Sequence, residues 1–408
     1  MSILSFVKRH NKLILFILVL IFSLYSTYLY LSVGQRGYDK VLSSLATQFI
    51  KGNLSLPIYN LPVRDISNYY NNFYVYFGPL ASILLIPGVI FMGDNFPQVA
   101  IGIGSMIASF VSIYLISKKL KFNTLDSLWL SLFFVFSTVL FSSSVINITA
   151  YQVEALGAPL ILLAIWAYIY KKNNLLIGIL IGLATMTRIT LVLGVTFFFI
   201  EFLRKKISLK QFLLILIPVI IALTVLGLYN FRRFHSVFET GYNYNISIKD
   251  MPIGENFKYG QSSMTHVPAN LYSFLLMSPE PLFKDEKGGF VLKFPYVKVS
   301  PWGVAIWFTS PLFIVLLTRF RKGEYTIPAG LTAIILSLPV FLWYSIGYAQ
   351  VGYRYSLDFL PFLFLLLLPS LSPKLTKTAI VLIIIGVIFN CVYTTSIWEM
   401  YPLFNIYP

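Results

Sequence analysis

What the sequence has little of narrows it at once. Of 408 residues only 11% are charged, while 57% are hydrophobic. A water-soluble chain of this length could not hide so much apolar surface, so lipid must serve as solvent for much of it. Cysteine occurs once, at Cys391, which excludes an internal disulfide and leaves the redox compartment open. Histidine occurs three times, at His10, His235 and His266, scattered and read as surface or loop residues. No paired His or Cys spacing suggests zinc, no Gly-rich phosphate loop matches a Walker motif, and there is no Gly-x-Ser-x-Gly elbow. Acids are scarce too: 15 Asp and Glu against 31 Lys and Arg, a formal charge of +16. That excess could mark a nucleic-acid binder or a membrane protein with topology-setting loops, and its distribution decides.

Apolar runs of about the length needed to cross 30 Å of hydrocarbon recur along the chain. They fall near 13–33, 97–117, 125–146, 151–170, 174–187, 189–203, 211–230, 302–318, 326–348, 356–371 and 376–395. The first follows Lys8, Arg9 and Lys12 and lacks a small-residue cleavage site, so it reads as a span with a cytoplasmic N-terminus and not as a signal peptide. Alternate connectors are then basic: Lys118–Lys121, Lys171-Lys172, Arg204–Lys206, Arg319–Lys322, and Lys374 with Lys377. The other connectors hold most of the acids. This is the positive-inside pattern, and it explains the charge without nucleic acid. The expectation is an all-α polytopic membrane protein, a single transmembrane domain over 1–408 with about eleven helices. Its first outer loop is 34–96 and its second 231–301.

Gly78 to Met92 breaks the count. Read as a crossing it would place Lys118–Lys121 outside, and Pro79 and Pro87 interrupt it, so an interfacial or dipping helix in the first loop is expected. A second interfacial helix is expected at 271–276. No internal repeat is evident, which weakens a transporter built from duplicated halves.

Charges near hydrocarbon are functional candidates, because an unpaired buried charge costs several kcal/mol. Asp39 lies just beyond the first span, either a solvated loop acid or a general base. Asp65 either pairs with Arg64, caps a short helix, or is a base. Glu154 enters the fourth span. Arg188 sits between two short spans, where it suits a phosphate or snorkels to headgroups. Arg232 and Arg233 follow the seventh span as ligands or headgroup anchors. Arg354 and Asp358 are spaced for a local i, i+4 salt bridge, or both point into a cavity. Tyr74 and Tyr76, with Tyr69 and Tyr70, could stack on sugar faces; much of the 17% aromatic content belongs to interfacial belts.

The order of these features resembles the GT-C class of integral-membrane glycosyltransferases, of the protein O-mannosyltransferase and lipid A aminoarabinose-transferase type. The matching pieces are Asp39 followed by Leu45-Ala46 and Phe49–Leu54, then Tyr74–Leu80 with Leu84–Pro87. Further pieces, Gly182–Arg188, Leu228–Asn230 with Arg233-Phe234, Glu239–Tyr242, and Gly352–Tyr355 with Asp358–Pro361, resemble a prokaryotic branch of it. Two features depart from the class: Asp39-Lys40 stands where an Asp-Glu pair is common, and the large soluble C-terminal domain of some members is missing.

The resemblance implies a GT-C-like bundle in a prokaryotic cell membrane. It implies inverting transfer, on the outer face, of a sugar from a polyprenyl-phosphate donor to a lipid, glycan or protein acceptor. Asp39, or second Asp65, would be the catalytic base. Arg188, Arg232, Arg233 and Arg354 would bind phosphate, with Glu154, Asp358, Tyr74 and Tyr76 also at the substrate. No cofactor is certain; the Asp39-Lys40 departure leaves open a divalent metal, with no ligands assigned. The rival is a transporter or flippase of a lipid-linked sugar, which needs the arginines but no base.

Overall fold

The computed structural model describes residues 39–57, 65–246, 252–281, 297–298 and 300–404. The expected first span, the N-terminal orientation, His10 and Arg64 lie outside these residues. The described chain is overwhelmingly helical. Two short helices, α1 (Val41–Ile50) and α2 (Leu80–Met92), flank a hairpin of β1 (Ile66–Tyr69) and β2 (Asn72–Val75). Then come α3 (Ala100–Lys119), α4 (Thr124–Phe136), α5 (Val139–Val145), α6 (Thr149–Ile169), α7 (Asn174–Thr185), a 3-10 turn over Ile189–Gly194 leading into α8 (Val195–Leu203), and α9 (Leu209–Phe234). Next are α10 (Val267–Leu275), β3 (Glu280–Pro281) with β4 (Val297–Lys298), α11 (Ile306–Thr309), α12 (Val315–Thr318), α13 (Thr326–Phe341), α14 (Leu360–Leu371) and α15 (Lys377–Phe404).

Among the described residues four helices are long and apolar enough to cross a membrane: α3, α6, α9 and Lys377–Ile397 of α15. The pair α4 and α5, bent by 58°, makes a fifth if it is one broken span. Shorter apolar helices of 10 to 17 residues accompany them. This is a polytopic helical membrane protein; the two antiparallel hairpins are its only regular strands among the described residues.

Local chemistry sets the helix ends. Ser208 and Gln211 form a capping box that starts α9. Asn123 caps α4 through the Asp126 N–H, and Asn173 caps α7 through Leu175. The 302–318 run, expected as one helix, is instead broken into α11, a 3-10 turn over Pro311–Ile314, and α12. Pro311 donates no backbone hydrogen bond and forces Ser310 out of helical conformation (φ −139°, ψ 61°). Helix α13 ends at Phe341, seven residues short of expectation, and Arg354–Asp358 is a 3-10 helix ahead of α14. Conversely α9 runs past residue 230, so Arg232 and Arg233 sit on its last turn and not in a following loop. Helix α10 takes in the expected 271–276 segment up to Leu275.

The basic connectors gather at one end of the bundle. Tyr170 Oη donates to Leu115 O, the Leu375 N–H to Asp126, Arg204 to Glu324 O, and the Arg321 N–H to Ser370 Oγ. Residues 39–57, 65–99, 147–154, 186–190, 230–246 and 342–358 meet at the other. Helices α6, α9 and α13 each run between the two ends. The core between them is built of large side chains such as Trp129, Phe133, Phe197, Phe362 and Phe364.

Candidate active site

The end away from the basic connectors holds a cavity of about 280 Å³. Its polar lining comes from five separated segments: Asp65 and Tyr76; Glu154; Thr187, Arg188 and Thr190; Asn230, Arg233 and Tyr242; and Trp343, Tyr344, Arg354 and Tyr355. Residues 66–67 and 241–246, from the two expected outer loops, meet beside it. Ser67 Oγ donates to Gly241 O at 2.6 Å, and the Ile246 N–H donates to Ile66 O at 3.1 Å.

Helix α6 organises one wall. An α-helix leaves its first N–H groups without internal partners, and their dipoles favour negative charge. No side chain of the preceding residue caps α6; two acids from distant loops do. Asp39 accepts from the Thr149 N–H at 2.8 Å and from Thr149 Oγ1 at 3.0 Å, and also from the Val41 N–H at 3.1 Å. Asp65 accepts from the Ala150 N–H at 3.1 Å and from Tyr76 Oη at 2.7 Å. Gln98 completes the joint, accepting from the Leu42 N–H and donating to Thr149 Oγ1. Asp39 is therefore neither a solvated loop acid nor a lining residue. Burial pushes its carboxyl up to about 6, and the neighbouring Asp65 adds to the rise while the Val41 and Thr149 hydrogen bonds oppose it. Asp65 lines the cavity, and its backbone is left-handed (φ 62°), an uncommon and strained conformation outside glycine. It caps no helix of its own loop.

A second wall is a ring of buried charges. Arg354 Nε lies 2.8 Å from Glu154 Oε2, a close ion pair without a linear hydrogen bond. Glu154 also lies 4.0 Å from Arg188, and Arg188 donates to Asp358 at 2.9 Å. Thr190 Oγ1 donates to the other Asp358 oxygen at 2.7 Å, and Tyr355 lies beside both guanidiniums, 5.5 Å from Arg188 and 4.8 Å from Arg354. This replaces the local Arg354–Asp358 bridge. In a 3-10 helix, at three residues per turn, positions i and i+4 do not share a face, so each residue pairs across the bundle. Asp358 supports the ring from behind and does not line the cavity.

Arg233 differs from the other two cavity arginines. It is only 2% exposed, yet no acid lies within salt-bridge distance among the described residues. It donates to the Val75 carbonyl and, at 2.7 Å, to Asn230 Oδ1, and it stacks 3.8 Å from the Tyr229 ring centroid. Its Nε is buried without a partner. A buried cation that lines a cavity with no acid beside it is suited to an anion. Arg232, one residue away, is exposed and off the cavity. Tyr74 packs on Phe234 instead of lining the cavity, whereas Tyr76 lines it and lies 4.3 Å from Tyr242.

Other placements were not readable in advance. Thr149, Trp343 and Tyr344 carry no signal in the sequence; the last two fall within the apolar run 326–348, beyond the helix end at Phe341. His266 is buried, its Nε2 2.9 Å from Gly260 O, and is not a surface residue. Gly78 has a steric reason. It approaches the 186–187 turn so closely that a Cβ would overlap the Met186 carbonyl, and its N–H donates to Thr187 O. Among the described residues no three His, Cys, Asp or Glu side chains come together to hold a metal.

No protein-family model matches the chain, and no curated protein matches it. Among solved structures it is similar to the archaeal oligosaccharyltransferase AglB from Archaeoglobus fulgidus, solved in complex with an inhibitory peptide and a dolichol-phosphate. The alignment has a TM-score of 0.41 at 13% identity and covers 98% of this chain. The chain spans 56% of the length of that protein. The functional reading therefore rests on the cavity.

Proposed function

We propose that this protein is a membrane glycosyltransferase that moves a sugar from a polyprenyl-phosphate donor to an acceptor hydroxyl at the outer face, with inversion. The observation that carries the reading is the pairing of unlike groups in one cavity. Asp65 is a carboxylate at a helix N-terminus, and Arg233 is a buried cation that lines the cavity with no acid at salt-bridge distance among the described residues. They are anchored to consecutive residues of one strand end, Arg233 to the Val75 carbonyl and Asp65 to the Tyr76 hydroxyl.

Glycosyl transfer needs those two groups. As the acceptor oxygen bonds to the anomeric carbon, its proton passes to Asp65. The bond from that carbon to the phosphate oxygen breaks, and the phosphate leaves with the electron pair. Arg233 stabilises the charge that grows on it. Asp65 replaces Asp39 as the leading base, because Asp65 lines the cavity and Asp39 lies off it. Asp39 helps fix the α6 N-terminus on which Asp65 rests. Arg188 and Arg354 are held by acids and keep the walls in place. An apolar rim of Leu226, Val237, Phe238 and Ile189 suits a donor whose tail stays in the bilayer.

The test is donor cleavage by the purified chain in proteoliposomes, given a labelled polyprenyl-phosphate sugar and membrane extract as acceptor source. Transfer of label with release of polyprenyl phosphate is expected. Movement of intact donor between leaflets without cleavage would replace this reading with the flippase.

A further inference from the structure

Beside the cavity, the β1–β2 hairpin and the 242–245 segment build an aromatic surface that the proposed chemistry does not use, with Tyr70 and Tyr244 exposed and Tyr69 and Tyr74 half-buried against the buried Phe234. The sequence Asn68-Tyr69-Tyr70-Asn71-Asn72 forms the hairpin tip, with Tyr70 and Asn71 in left-handed backbone. Strand register places Tyr69 opposite Asn72 and Ser67 opposite Tyr74, so these four share one face. On that face Tyr69 lies 4.7 Å from Tyr244 and 5.6 Å from Phe234, and Tyr74 lies 5.2 Å from Phe234. Tyr70 stands edge-on to Tyr69 at 4.6 Å and is 82% exposed, a large cost in unburied ring if it meets only water.

Amides are prominent among the exposed neighbours of these rings, together with His235, whose ring lies 6.4 Å from Tyr69. Asn68, Asn71, Asn72 and Asn243 are exposed around them. Asn243 is held in place from two sides, donating to Glu239 and accepting from Gln261. The aliphatic residues of the hairpin, Ile66 and Val75, are buried. Flat rings supply rigid contact area at small entropic cost, and side-chain amides supply adaptable donors and acceptors. A pyranose offers the matching surface, with C–H bonds on its face and hydroxyls on its edge. A lipid-anchoring patch would instead carry aliphatic chains among its rings and cations toward the headgroups. The surface is also continuous with the cavity: Phe234 follows Arg233 directly, and Tyr242 both lines the cavity and contacts Tyr76.

We propose that the hairpin tip and the 242–245 segment form a saccharide-binding platform, taking a neutral oligosaccharide that extends from the cavity. Within the transferase reading, on which this step rests, the occupant is the acceptor, which makes the acceptor a glycan.

The experiment uses the full chain in detergent on an array of immobilised neutral tetrasaccharides of mannose, glucose and N-acetylglucosamine. Binding to at least one is expected. Tyr70→Ala should weaken it on the order of tenfold, the scale of a lost aromatic contact, while Tyr70→Phe, which keeps the ring, should retain it. Because Tyr70 is exposed, neither change should disturb folding. A wild-type chain that binds no saccharide, or a Tyr70→Ala variant that binds as wild type, would overturn the platform. So would Tyr70→Trp fluorescence in nanodiscs quenched by headgroup-brominated lipids beyond the wild-type background, since the ring would then sit in lipid. The array contains no donor, so its failure leaves donor cleavage standing, and failure of cleavage leaves saccharide binding standing.

Discussion

Replacing Arg233 with alanine separates phosphate binding from the rest of the site. The side chain is buried, and no acid neutralises it among the described residues. Its loss leaves the Val75 carbonyl and Asn230 Oδ1 without their donor. Each orphaned acceptor costs about 1–3 kcal/mol, so a lowered melting temperature is expected. A hydrogen bond from a charged donor to phosphate contributes about 1.5–3 kcal/mol. At 1.4 kcal/mol per factor of ten, polyprenyl-phosphate binding should weaken roughly 10- to 150-fold. Arg233→Lys keeps the charge and loses the planar fork that reaches two acceptors and a ligand together, so it should fall between wild type and alanine. The assay is titration of the purified protein with polyprenyl phosphate in nanodiscs, with thermal unfolding measured on the same samples. A folded Arg233→Ala variant with wild-type affinity would refute the assignment of this cation to the donor phosphate.

Three further outcomes follow from the same geometry. Asp39 has a folded-state carboxyl raised from 3.8 to about 6, so the folded chain holds its proton more tightly than the unfolded one. Stability should therefore fall as pH rises from about 4 to about 6, by about 3 kcal/mol at most; Asp39→Asn should remove that slope in pH-dependent unfolding, and an unchanged slope would contradict it. Glu154→Gln strands the buried Arg354 and should cost about 3–5 kcal/mol in thermal or denaturant unfolding, while Glu154→Gln with Arg354→Met should recover much of it. For topology, single cysteines introduced at Lys121 and Asn71 in a Cys391→Ser chain should label from opposite sides of the membrane, Asn71 from outside; labelling from the same side would overturn the two-ended arrangement.

Much of the site could be read from the sequence because charges are rare in this chain and costly where they occur. Asp65, Glu154, Arg188, Arg233 and Arg354, spread over most of the sequence, line one cavity, with Asp358 paired behind Arg188. What could not be read is which charge meets which. Asp39 finds its partner at Thr149, 110 positions away, and no local pattern encodes how a loop docks on a distant helix N-terminus. The spacing of Arg354 and Asp358 suggested a local bridge only under the assumption of an α-helix, and the 3-10 geometry removes it. Helix limits failed where proline acts through its neighbour, as at Ser310, and where apolar aromatics such as Trp343 and Tyr344 continue a run beyond the helix that ends at Phe341. The exposed Arg232 and buried Arg233 show the resolution required. Both are basic and adjacent, and only the 100° turn between successive helix positions separates the cavity from the surface.

The most direct test of the catalytic reading compares Asp65→Asn with wild type in the same proteoliposomes, measuring sugar transfer and polyprenyl-phosphate affinity together. The amide keeps the shape and one of the two hydrogen bonds that Asp65 accepts, from Tyr76 or from the Ala150 N–H, but cannot take the acceptor proton. Transfer should fall about 10²- to 10⁴-fold while donor affinity stays near that of wild type. Near-normal transfer by a folded Asp65→Asn protein would contradict the assignment of this carboxylate as the base.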